Sequence, residues 1–433
     1  MSQQLLDQLL AGRLPDPDGS GLLSVPVRAV EIAASLAGRE AACLSAVGLN
    51  RGLAVVCDAT TRGVLGARVT AALGGPGRVW EITLPDAPTA DMATVELVRA
   101  QAKHAAALVA VGSGTINDLC KYASFLDRKA YVVFGTAPSM NGYTSISAAI
   151  TEHGHKNSLP AHAPLGVFLD LEILSRAPLR MIRSGLGDSV CRTTAQADWL
   201  LAHLLLDRPY RTAPFRLLEA DEAQLLAKAA ALVAGDIAGM EVLARTLVLS
   251  GLGMTICGGS FPASQGEHLI SHYIDMVGEP SWPASFHGEH IAVTTLTMAR
   301  LQQSIMAGAA PVVSPTEVDE DAVLRHFGPE LGASCWAAFA KKRLDGDMAA
   351  ALTKKLSRGW SDIQRAIARV SRPLAEIEGA LKAAGAPMDC RDIGVPQDFY
   401  RRAVTQAREI RDRYTFLDLA GDAGRLAPFA DGL

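Results

Sequence analysis

Ala107-Leu-Val-Ala-Val111, then Gly112-Ser-Gly-Thr-Ile-Asn-Asp118, then Leu119-Cys-Lys-Tyr122 is the stretch on which the fold turns. A short apolar run reads as a buried strand, small residues make a tight turn, and a helix follows. The open N–H groups and the dipole at such a helix start face a pyrophosphate. The third glycine of the GxGxxG fingerprint is absent. On this motif alone, a phosphate loop and a plain strand-to-helix turn stand level.

The same alternation spreads outward from this unit. Leu53–Asp58, Val79–Leu84, Ala130–Phe134 and Gly166–Asp170 also read as buried strands, and stretches such as Thr89–His104 are long enough to be crossover helices. That pattern predicts an α/β domain with a parallel sheet over residues 1–178. Beyond about Arg176 the strand signals stop. Asp188–Leu206, Glu219–Ala234, Asp236–Leu252, Glu267–Met276, Glu289–Ala307 and Arg358–Ala384 carry helical periodicity, which predicts an all-helical domain over residues 179–433. Pro280–Pro283 and Pro311–Pro315 read as loops.

Two domains also suit the size, since 433 residues exceed what one core supports. A net charge of −4 without a long basic run gives no footprint for nucleic acid or an acidic membrane. The first residues lack the basic and apolar regions of a signal peptide. The apolar stretch near Leu243–Cys257 is interrupted by Arg245, Ser250 and glycines, so it reads as a buried helix. Seven cysteines stand singly, with no CxxC pair, which favours free thiols in a reducing cytoplasm.

Chemistry-bearing residues gather in three later places. Gly135-Thr-Ala-Pro-Ser-Met-Asn-Gly-Tyr-Thr-Ser145 follows the next strand and is rich in hydroxyls and amides, at the sheet edge where open α/β folds bind ligands. Ser184-Gly-Leu-Gly-Asp188 places a carboxylate at an expected helix start, where it reads as a helix cap or as a ligand. Gly266-Glu-His-Leu-Ile-Ser-His272 and Phe286-His-Gly-Glu-His290 hold four of the ten histidines. On a helix, His268 and His272 share a face, and His287 comes from the start of the next helix. Two imidazoles and a carboxylate make a three-ligand site with an open position. Taken alone, the His pair is equally well a pair of ordinary residues.

In this order the motifs resemble the iron-containing alcohol dehydrogenase superfamily, and more narrowly its sn-glycerol-1-phosphate dehydrogenases. Ser250-Gly-Leu-Gly-Met254, Ser260-Phe-Pro-Ala-Ser264 and Thr193–Trp199 carry the narrower likeness, within residues 50–300. The resemblance implies a dinucleotide-binding domain and a helical domain, with metal and substrate in the cleft. It puts Asp188, His268 and His287 on the metal-ligand positions, and His272 on that of a substrate-contacting histidine. Gly112, Ser113, Gly114, Thr115, Ile116, Thr136, Ser139 and Ser145 fall on contacts to NAD(H) or NADP(H). Asp58, at a strand end, is expected at the adenosine ribose, favouring NAD. Asn141 stands where the family has an aspartate for a substrate hydroxyl. Arg192 is the candidate for a substrate phosphate.

The implied reaction is reduction of dihydroxyacetone phosphate to sn-glycerol 1-phosphate by a cytoplasmic homo-oligomer, using one divalent ion: zinc, nickel or iron. A sugar-phosphate cyclase resembling 3-dehydroquinate synthase, a glycerol-type polyol dehydrogenase and a non-enzymatic phospho-sugar sensor are the rival readings. Asp188 speaks against the cyclases, which place glutamate at the first metal position.

Overall fold

Six parallel strands form the central sheet, in the order β1 (Ala29–Ala33), β8 (Gly166–Asp170), β5 (Ala130–Gly135), β4 (Ala107–Gly112), β2 (Leu53–Asp58) and β3 (Trp80–Leu84). β6 (Ser147–Glu152) and β7 (His155–Pro160) form a separate antiparallel hairpin. The structure, a computed structural model, describes residues 2–75, 77–152 and 155–433. Every strand expected from the sequence is present. β1 and the hairpin were not legible, for a physical reason. β1 is an edge strand whose residues are all half-buried, so Ala29-Val-Glu-Ile-Ala33 needs no continuous apolar run.

The chain forms two compact units, 1–189 with 212–260, and 190–211 with 261–433. The sequence suggested a single boundary after residue 178. In the structure, two long helices of the second half return to the sheet-bearing unit: α4 (Ala213–Ala227) and α5 (Ile237–Ile256). α5 is long and apolar enough to cross a membrane, yet 78% of its most apolar window is buried inside the protein. It is a core helix, as its interrupted sequence suggested.

Three expected helices differ in extent. Asp188–Leu206 is two helices, α2 (Leu179–Val190) and α3 (Arg192–Leu206), separated at Cys191. Asp188 therefore lies in the last turn of α2 rather than at a helix start. The glycines before it look like a helix breaker, but both lie within the helix, and Gly185 serves close packing. A Cβ at Gly185 would lie 1.7 Å from the Pro138 carbonyl oxygen. The stretch expected at Glu219–Ala234 begins earlier, as α4. Arg358–Ala384 divides at Pro373 into α8 (Gly346–Val370) and a shorter helix, Leu374–Ala384.

In the second unit, α6 (Gly266–Val277) and α7 (His287–Ala307) pack beside α3. Leu269, Ile270, Tyr273 and Ile274 of α6 enter a core shared with Leu201 and Leu205 of α3 and Val293 and Leu301 of α7. Each such aliphatic side chain contributes about 1.5–3 kcal/mol on full burial. His268 and His272 fall on a different face of α6, so the core does not depend on them.

Candidate functional site

At the carboxyl ends of β2 and β4 the strand order reverses: β3 lies beyond β2 on one side, whereas β5 and β8 lie beyond β4 on the other. Open α/β sheets bind ligands at such a switch point. Asp58 ends β2 and Gly112 ends β4. The Gly112 turn is tight, since a Cβ there would lie 2.5 Å from Ile116 Cβ. Helix α1 (Gly114–Leu126) then begins, presenting the N–H groups of Gly114, Thr115 and Ile116. Asp58 caps the short helix that follows it, with Oδ1 accepting from Thr61 N–H at 2.7 Å and from Thr61 Oγ1 at 2.9 Å.

The loops after β4 and β5 are tied together. Thr136 N–H donates to Gly112 O, and the Ser113 and Ser139 hydroxyls share a hydrogen bond. The Asn141–Ser145 turn is held from beneath by Lys121, which is fully buried. Its Nζ donates to Gly142 O at 2.6 Å, Ser145 Oγ at 2.9 Å and Ser147 O at 2.9 Å. The Ser145 hydroxyl is therefore engaged inside the protein. Lys121 lies outside the site expected from the sequence, although Asn117, Lys121 and Ser124 form one buried helical stripe that signals it.

Burial pushes the Lys121 ammonium down to about 8 from an ordinary 10.5, against the raising influence of Asp118. Between those values the unfolded chain holds the extra proton, so stability rises with pH across that window. The melting-temperature difference between the protein and Lys121→Met should therefore shift in favour of the unmodified protein as pH rises through it. A pH-independent difference would show that Lys121 keeps its ordinary affinity for the proton.

α2 docks on the same turn. Ser184 Oγ donates to Ser139 O at 3.1 Å, and Asn141 N–H donates to Asp188 Oδ2 at 2.8 Å. The structure thus brings Asn141 and Asp188 into direct contact, with Asp188 only 1% exposed.

The second unit gathers the histidines. The rings of His268, His272 and His287 form a triangle with centroids 5.1–6.1 Å apart. Nε2 of His268 lies 3.3 Å from Nε2 of His287. Nitrogens bound to a tetrahedral cation at about 2.0–2.1 Å are separated by about 3.4 Å, so the pair has the spacing of two ligands. On the far side of the ring, His268 Nδ1 lies 2.9 Å from Glu267 Oε1. Gln265 N–H donates to the same carboxylate at 2.8 Å and Thr194 Oγ1 at 3.2 Å.

Burial works to raise the Glu267 carboxyl, but the hydrogen bond and attraction of His268 and the backbone N–H groups of Gln265 and Glu267 together hold the group below its ordinary value. An ionised carboxylate only accepts, so Nδ1 carries the ring proton and Nε2 keeps its lone pair for a metal. Replacing Glu267 by Gln should weaken divalent-cation affinity about 10–100-fold, as loss of a ligand-orienting carboxylate does. Chelator competition measures it. Unchanged affinity would mean that the ring is oriented by packing alone.

Asp198, on α3, was not expected from the sequence. Its carboxylate accepts from Gly266 N–H at 2.9 Å, Phe416 N–H at 2.9 Å and Gln302 Nε2 at 3.3 Å, joining the starts of α6 and α9 (Phe416–Asp422). Burial, and then the charge of Glu267, push it up to about 8. Arg192 opens α3 and donates to Gln196 Oε1 at 2.7 Å, while Gln196 Nε2 donates to the Tyr210 hydroxyl at 2.9 Å. The guanidinium is thus held in a defined direction.

Comparison with known proteins agrees with this architecture. The model of the iron-containing alcohol dehydrogenase family matches residues 31–178. A protein of Bacillus licheniformis named glycerol-1-phosphate dehydrogenase, NAD(P)+, is 27% identical over 379 residues, covering 86% of this chain and 83% of the relative. One of the same name from Sulfolobus acidocaldarius is 36% identical over 215 residues, 48% of this chain and 59% of the relative. Among solved structures, a probable glycerol dehydrogenase from Sinorhizobium meliloti has the same fold, with a TM-score of 0.59 at 18% identity over 94% of this chain and 98% of its own. The parallel sheet with its glycine turn, the helical second half and these likenesses agree: over residues 31–178 the chain is similar to the iron-containing alcohol dehydrogenase family.

Proposed function

We propose that this protein is a metal-dependent oxidoreductase that reduces dihydroxyacetone phosphate to sn-glycerol 1-phosphate with NADH or NADPH. The facing Nε2 atoms of His268 and His287, backed by Glu267, carry the reading, in a chain whose relatives include proteins named for glycerol 1-phosphate. Asp188, His268 and His287 are the metal ligands; two imidazoles and one carboxylate suit zinc, nickel or ferrous iron. When bound, the divalent cation supplies Lewis acidity at the carbonyl oxygen, and the reduced nicotinamide supplies the hydride.

The remaining roles belong to this chain's own groups. Gly112, Ser113, Gly114, Thr115 and Ile116 hold the cofactor pyrophosphate at the start of α1. Thr136, Ser139 and Ser145 would supply further contacts to the nicotinamide cofactor. Arg192 pairs with the substrate phosphate, and the Asn141 amide meets a substrate hydroxyl. His272 passes a proton to the substrate oxygen, directly or through water. The seven cysteines are free thiols, as suits a cytoplasmic enzyme. A small phosphorylated substrate and a homo-oligomeric state complete the reading.

An assay of the metal-reconstituted protein with NADH tests it, across dihydroxyacetone phosphate, dihydroxyacetone, glyceraldehyde 3-phosphate and simple aldehydes. Net NADH oxidation with the first is expected. A cyclase would show no net cofactor turnover, and a sensor would show binding alone.

Asp58 sets the cofactor preference. Its Oδ1 is committed to Thr61, and its other oxygen would accept from a ribose hydroxyl and repel a 2′-phosphate. NADH should be preferred, and Asp58→Gly should narrow the ratio of kcat/KM values. A clear NADPH preference in the unmodified protein would remove Asp58 from this role.

A further inference from the structure

Beside the histidine pair lies a second donor set, which shares Glu267 and His268 with the proposed metal site and adds Cys191, a residue to which the proposed reaction gives no role. Cys191, Glu267 and His268 each offer one ligand atom, and the three atoms lie within 4.8 Å of one another. All three residues are buried, Glu267 completely. Cys191 sits at the break between α2 and α3, with Sγ 3.7 Å from Ala263 O, on the loop that leads into α6.

The set has the chemistry of a cation site. A thiolate, a carboxylate and an imidazole select borderline and soft divalent ions over magnesium or calcium. The thiolate and the carboxylate together neutralise a divalent charge, which a buried ion requires. The surrounding support is in place, since Gln265 N–H and the Thr194 hydroxyl already fix the Glu267 carboxylate.

We infer that Cys191, Glu267 and His268 form an inhibitory site for a thiophilic divalent cation, and that its occupancy excludes the catalytic one. The exclusion follows from the two nitrogens of His268. Nδ1 faces Glu267 and Nε2 faces His287. A neutral imidazole carries one proton. A cation on the Glu267 side displaces that proton from Nδ1 to Nε2, and a protonated Nε2 has no lone pair for the catalytic ion. The Cys191 thiol proton passes to solvent as the thiolate binds. No electron transfer is involved. Binding at this inner set stands on its own donors, whereas the inhibition rests on the catalytic role proposed above for His268.

Cadmium ion is the probe, added to the full-length protein carrying one equivalent of its activating cation. A thiolate-to-cadmium charge-transfer band in the ultraviolet should grow in step with the loss of dihydroxyacetone phosphate reduction. Cys191→Ser should lack the band and tolerate roughly tenfold more cadmium before losing activity. Cys191→Ala, checked for fold by circular dichroism, provides the same reading should the serine variant fold poorly. No band in the unmodified protein, or the same band in both variants, overturns the site. A band with full activity overturns the exclusion while leaving the site. Absence of dihydroxyacetone phosphate reduction in every protein would count against the proposed function, and the band would still decide the site.

Discussion

His268→Ala and His287→Ala are expected to fold normally, to lose their bound divalent cation, and to lose activity by about three orders of magnitude or more. The magnitude follows from Lewis-acid stabilisation worth several kcal/mol, with each 1.36 kcal/mol a factor of ten in rate. Each ring supplies one of the two nitrogens that face each other at 3.3 Å, so removing either leaves a donor set too small to retain the ion. The fold should survive because α6 anchors itself through Leu269, Ile270, Tyr273 and Ile274, and His287 is the half-buried first residue of a long helix whose core contacts begin further along. Elemental analysis after gel filtration, alongside circular dichroism, reads both consequences. Full metal content in either variant would take that histidine out of the site.

The second large effect concerns the phosphate of the substrate. Dihydroxyacetone phosphate should be reduced with a kcat/KM far above that for dihydroxyacetone. The phosphate makes a charge-assisted contact, and its absence leaves the half-buried Arg192 without that anion, each worth about 1–3 kcal/mol. Together they amount to roughly two to four orders of magnitude. Arg192 is the group to test, since Gln196 and Tyr210 fix its direction in the absence of ligand. Arg192→Ala should erase most of the discrimination, raising KM for the phosphorylated substrate much more than for the plain one. Equal efficiency on the two substrates in the unmodified protein would place it with glycerol-type dehydrogenases, leaving only the likeness to the wider superfamily. Asn141→Asp supplies a further check. If the usual aspartate role applies, activity is maintained or raised; loss of activity would mean that Asn141 is tuned to another substrate.

The α/β half was legible because its central strands are buried on both faces. Such strands must be continuously apolar, and Ala107–Val111 or Leu53–Asp58 announces itself without reference to any neighbour. The edge strand β1 carries no such demand and passed unseen. The histidines of α6 and α7 were legible as a possible site because helical spacing alone places His268 and His272 on one face. Their partners were harder to read. Glu267 was visible in the motif, but its role depends on a ring orientation that no spacing reveals. Asp198 contacts Gly266 and Phe416, residues far from it in sequence and brought to it only by helix packing.

From the sequence alone came the parallel sheet, the glycine turn after β4, the helical second half and the identity of the candidate metal, cofactor and substrate residues. The sheet, the turn and the helices rest on local rules of strand and helix periodicity and turn chemistry, whereas the candidate site residues came from the family resemblance. Tertiary structure decided the rest. It made Ser184-Gly-Leu-Gly-Asp188 a helix interior, because Gly185 must let a backbone carbonyl pass where a side chain would clash. It returned α4 and α5 to the sheet-bearing unit, buried Lys121 under the Asn141 turn, and set Cys191 and Glu267 around His268. Each of these depends on which distant surfaces meet, a condition that local periodicity does not encode.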